Sequence, residues 1–153
     1  MEFQGLIPVI QCKQIEQTLA FYQQAFRYII INKTITDDGL QWAYLKSDNT
    51  YLMLQKKIVD NASSNECDEI DNNSDLSGNI ILHYYTSDIT AQHRFMTAKG
   101  FKVGEIENTP YHISQFYIKD PEGNTIAVGQ DSNKTISQGS SDQHNKKREV
   151  PVS

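Results

Sequence analysis

Nine side chains able to grip a small organic molecule recur at a spacing of two. Trp42 with Tyr44, the run Tyr51, Met53 and Gln55, His83 with Tyr85, and Gln115 with Tyr117 each repeat at the interval that returns a side chain to the same face of a strand. Aromatic faces stack on planar or cationic groups, while hydroxyl and amide tips fix orientation. His83 is the member that could also exchange a proton or ligate a metal near neutral pH. Their neighbours decide the direction. Ala43 and Leu45, Leu52 and Leu54, Leu82 and Tyr84, and Phe116 and Ile118 suit a surface packed beneath a helix, which sends the nine to the opposite, inward face.

The elements that must carry these residues are written twice. Leu6 to Cys12 reads as a strand and Ile15 to Phe26 as a short amphipathic helix with Ile15, Leu19, Tyr22 and Phe26 on one face. Ile80 to Thr86 and Ile89 to Lys99 repeat that layout, with Ile89, Phe95 and Met96 on the apolar side; Phe21 and Phe95 are 74 positions apart and Phe26 and Phe101 are 75 apart. A repeat of this length means two copies of one supersecondary unit. Asp88 stands where an N-cap oxygen is needed and Gly100 where a left-handed residue ends a helix. The first copy has Gln14 and Ala25 there, so weaker helix ends are expected.

Three strands follow each helix: 28–34, 40–46 and 51–55 in the first copy, and 102–107, 113–119 and 125–130 in the second. Asp37-Asp38-Gly39, Ser47-Asp48-Asn49-Thr50 and, most distinctly, Asp120-Pro121-Glu122-Gly123-Asn124 supply the turns. Each copy therefore reads β-α-β-β-β. The division expected is a first unit over 1–57, an acidic polar linker over 58–79, a second unit over 80–130 and a disordered tail over 131–153.

The tandem βαβββ pattern, the Ile7-Pro8-Val9 opening, Phe21-Tyr22 in the first helix and the Asp-Pro-Glu-Gly-Asn turn together resemble the glyoxalase/bleomycin-resistance/dioxygenase, or vicinal oxygen chelate, superfamily over roughly residues 5–130. The resemblance implies an α+β fold, a curved eight-stranded half-barrel with a concave cavity, and a homodimer. It does not settle function, because the superfamily holds metal enzymes and metal-free drug-binding proteins alike. In its enzymes four strand positions hold a divalent metal; carried over, they fall on Ile7, Gln55, Ile81 and Ala127. Isoleucine and alanine offer a cation no donor atom. A shifted site using Gln55 and His83 with Glu105 or His112 is the remaining arrangement.

The expectation is thus a metal-free protein of the bleomycin-resistance type, with no cofactor and no catalytic residue, that sequesters a planar or cationic molecule against Trp42, Tyr44, Tyr51, Met53, Gln55, His83, Tyr85, Gln115 and Tyr117. The alternative is a lyase, isomerase or dioxygenase of the same superfamily using a displaced metal or His83 as acid or base. A unit used only for dimerisation is a third reading.

Composition agrees. With 153 residues and 38% hydrophobic content the chain supports one core of two small units. A net charge of −5 weighs against a nucleic-acid surface and suits a cationic ligand. No apolar run reaches membrane length and Met1 is not followed by a signal-peptide pattern, so no membrane partner and a cytoplasmic location are expected. Cys12 and Cys67 sit in unlike settings, one on a strand and one in a polar stretch, so no disulfide is expected and Cys12 reads as a small buried residue. Lys146-Lys147-Arg148 reads as a solvated charge run.

Overall fold

The computed structural model describes residues 1–58 and 80–132. The expected linker and tail, with Cys67, therefore lie almost wholly outside the described residues. The fold is α+β and built from tandem βαβββ motifs: all eight expected strands are present, as two open four-stranded sheets. By compactness the described residues form two units, the first holding those up to Ile81 together with Lys119–Thr125, the second Leu82–Ile118 together with those from Ile126 on.

In the first unit, β1 (Val9–Cys12), α1 (Ile15–Phe26), β2 (Ile29–Thr36), β3 (Gly39–Ser47) and β4 (Thr50–Lys56) give a sheet of order β1-β4-β3-β2. β1 runs parallel to β4, and the β2, β3 and β4 pairs are antiparallel. Strict alternation on the central strands sends Ala43, Leu45, Leu52 and Leu54 to the helix side, where each is fully buried. α1 buries Ile15, Thr18, Phe21, Tyr22 and Ala25. That face differs from the expected Ile15, Leu19, Tyr22 and Phe26. The small Thr18 and Ala25 let the helix approach closely, leaving Leu19 and Phe26 only half-buried.

The weak helix start expected at Gln14 is remedied from far along the chain. Gln14 makes no side-chain cap. Instead the Glu122 carboxylate, in the segment 119–125 that belongs to this unit, accepts from the Lys13 amide at 2.9 Å, the Gln14 amide at 2.8 Å and the Thr18 hydroxyl at 3.0 Å. A carboxylate there satisfies orphan amides and complements the helix dipole. Asp120, buried, anchors the turn: it accepts from the Glu122 amide, the Asn124 amide and side chain, and the Tyr22 hydroxyl at 2.7 Å. Gly123 takes φ of 88°, which a Cβ would oppose. At the other end of α1, Arg27 rather than Ala25 adopts the left-handed conformation, with φ of 58°.

The second unit contains β5 (Leu82–Tyr85), α2 (Ile89–Ala98), β6 (Glu107–Asn108), β7 (Ile113–Lys119) and β8 (Thr125–Asp131), in sheet order β5-β8-β7-β6. Asp88 caps α2 as expected, accepting from the Ala91 amide at 3.0 Å, and Gly100 has φ of 90°. Phe116, Ile118, Ile126 and Val128 form the buried face with Ile89 and Met96 of α2.

The strand expected over 102–107 is reduced to two residues. Val103 bridges Ile118 and the Gly104 amide donates to the Tyr117 carbonyl, but the ladder then slips by one residue before Glu107 pairs with Gln115. The Gly104 carbonyl is taken by the His93 ring nitrogen of α2 at 2.9 Å, so that it faces the helix rather than continuing the ladder.

Candidate ligand-binding faces

In each unit the sheet face away from the helix carries half-buried or exposed aromatic and amide groups, and the nine residues singled out in the sequence divide between the two faces. Five stand on the first. The β3–β4 register sets Trp42 opposite Gln55, Tyr44 opposite Met53 and Lys46 opposite Tyr51. Directly opposed residues share a face, so three rings form a row. Trp42 and Tyr44 are stacked at 6.2 Å between centroids, and Tyr44 and Tyr51 lie 5.8 Å apart at 34°. β1 extends this face with Val9 beside Met53 and Gln11 beside Gln55.

The other four stand on the second unit's face. His83 and Tyr85 lie against each other on β5 with centroids 4.6 Å apart, and Tyr85 is 68% exposed. On β7 the Gln115 amide nitrogen donates to the Tyr117 hydroxyl at 2.8 Å, orienting both tips. Gly129 of β8 connects the pairs. A Cβ built there would lie 2.6 Å from His83 Nε2 and 3.1 Å from Ile113 Cγ2, so the imidazole and the start of β7 meet above a residue that has no side chain. Sequence reasoning passed over Gly129. The signal available was a glycine inside a strand pattern, which marks close approach.

Lys46 was also passed over. Its ammonium lies 5.7 Å from the centre of the Tyr51 ring. The cue was the short turn at Asp48 and Asn49, which fixes Ser47 against Thr50 and hence Lys46 against Tyr51.

The positions that would carry a metal do not supply a donor set. Ile7 precedes β1, Ile81 precedes β5, Ala127 pairs with His83, and Gln55 lies opposite Trp42. Among the described residues no three His, Cys, Asp or Glu side chains gather closely enough to hold an ion. Two hydrocarbon side chains, a methyl group and one neutral amide do not fit a divalent cation. Cys12 offers no nucleophile: burial first, then the Glu122 charge, pushes its thiol up to about 12, and its Sγ is directed at the Ile10 carbonyl.

The sequence profile of the Glyoxalase/Bleomycin resistance protein/Dioxygenase superfamily matches residues 7–128. The chain belongs to this superfamily. Among curated protein sequences none matches it. Crystal structures similar to it include TnmS3, an antibiotic binding protein from Streptomyces sp. CB03234, at 19% identity, covering 86% of this chain and 99% of that one with a TM-score of 0.62. A bleomycin-binding protein complexed with bleomycin is similar at 13% identity, 84% and 98% coverage and a TM-score of 0.60. So is lactoylglutathione lyase from Agrobacterium tumefaciens, at 17% identity, 86% and 97% coverage and a TM-score of 0.61. At these identities the likeness is one of fold, and proteins of this shape include both binding proteins and an enzyme. Among the described residues no helix is long and apolar enough to cross a membrane.

Proposed function

We propose that the protein binds and sequesters a planar or cationic small organic molecule by stacking, without a metal ion and without chemical conversion, and that it does so as a homodimer. The observation that carries this reading is the row Trp42, Tyr44 and Tyr51, three rings each touching the next on a sheet face where a buried core would have placed aliphatic groups. A ring face left open to solvent gains by covering itself with another flat ring, and the Gln55 amide opposite Trp42 supplies hydrogen bonds that discriminate among such rings. The hydrocarbon residues at Ile7, Ile81 and Ala127 support a binding role over the metal-dependent chemistry found elsewhere in the superfamily. The antibiotic-binding structures of like fold make antibiotics, bleomycin among them, the first compounds to try.

Trp42 is the only tryptophan, so its fluorescence reports on the first face directly. Titration with bleomycin and a panel of polycyclic aromatic drugs is expected to give saturable quenching. By calorimetry, Tyr44→Ala and Tyr51→Ala are each expected to weaken the bound compound about tenfold, the scale of one lost stacking partner. Unchanged affinity in both variants, or turnover of the compound on incubation, would overturn the reading.

A further inference from the structure

The row of rings on the first unit's face does not end in another ring. Lys46 follows Tyr51 across the strand pair, with its ammonium 5.7 Å from the ring centre, so the sequence along the face is Trp42, Tyr44, Tyr51, Lys46. The paired positions of this face, from β1 across to β2, include no Asp or Glu. Lys46 itself has no carboxylate partner among the described residues. An ammonium has three donors, and the π-face of one ring satisfies them poorly.

A flat molecule lying along the three rings would bring its edge substituent against that ammonium. A cationic substituent would gain from the rings but meet a like charge at the end of the row. An anionic one would meet its counter-charge, partly shielded from water by the ligand itself, where the pairing is stronger than in open solvent. We propose that this face selects planar aromatic molecules bearing an anionic substituent, a carboxylate or its equivalent, with Lys46 as the selecting residue. The inference rests on the reading of the face as a stacking site and sharpens the charge of its ligand, which the acidic balance of the whole chain left pointing toward cations.

Three probes of one shape test it: pyrene-1-carboxylate, pyrene-1-carboxamide and 1-pyrenemethylammonium, titrated by calorimetry at low salt. The carboxylate is expected to bind about fivefold tighter than the carboxamide, the scale of one partly exposed ion pair, and the ammonium probe most weakly. Lys46→Met should bring the carboxylate down to the carboxamide while leaving the carboxamide within about twofold, and Lys46→Arg should keep the preference. A carboxylate bound no tighter than the carboxamide, or a preference that survives in Lys46→Met, overturns the assignment while the stacking site stands. Failure of all three pyrenes to bind would overturn the stacking reading and this inference with it.

Discussion

The position of the His83 imidazole is set by the absence of one carbon atom. A methyl group at residue 129 would lie 2.6 Å from Nε2, well inside contact distance, yet what it meets is the free end of a side chain rather than backbone. The ring can swing aside at little cost to the fold. Gly129→Ala is therefore expected to shift the melting temperature by no more than a few degrees. It should also move the imidazole away from Tyr85, whose ring now lies 4.6 Å distant. The His83 ring-proton resonances, shielded by Tyr85 in the native protein, report this displacement. A variant with native His83 resonances would show that Gly129 does not position the ring. This dependence lay beyond the sequence because it joins β5 to β8, whereas the placing of His83 on the face away from the helix could be read from its immediate neighbours Leu82 and Tyr84.

At the level of elements the turn between β7 and β8 acts as the missing cap of α1. The Glu122 carboxylate reaches two backbone amides and the Thr18 hydroxyl at once, while Asp120 holds the turn through four accepted hydrogen bonds. Glu122→Ala is expected to cost about 1–2 kcal/mol, since water can reach the amides that lose their partner. In a chain of this size that lowers the melting temperature by about 3–6 °C. Glu122→Gln, which keeps an acceptor without the charge, should recover part of the loss, and equal melting of native and Glu122→Ala protein would refute the capping role. Much at this scale could be read beforehand. Period-two alternation placed Ala43, Leu45, Leu52, Leu54, Phe116 and Ile118 on the helix side because each strand faces a helix on one side only. What escaped were features set by long-range contact: the buried role of Thr18, the cap supplied more than a hundred residues away, and the late start of β6 after His93 has taken the Gly104 carbonyl.

For the molecule as a whole, the repeat in the sequence sufficed for the tandem βαβββ architecture, since two copies of one pattern have few ways to bury their helices. The edges of the sheets are a different matter. β2, the edge of the first sheet, is eight residues long and exposes Ile29 at 61% and Ile35 at 60%. Long apolar edges invite pairing, and the proposed homodimer would cover this one. Native mass spectrometry is expected to give twice the 17.5 kDa chain mass, and Ile29→Lys to shift the population to the single chain. A native protein that is monomeric at micromolar concentration would remove the dimer from the proposal.

The capping of α1 by Glu122 also orders events during synthesis. Lys13 and its partner are separated by 109 positions. A ribosome extending the chain by about 5–20 residues each second leaves α1 without its carboxylate for roughly 5–20 s after the helix is made. The first unit of the nascent protein thus waits until β5, α2 and β7 have been made before its helix is capped, and it is in that interval that chaperones would find it.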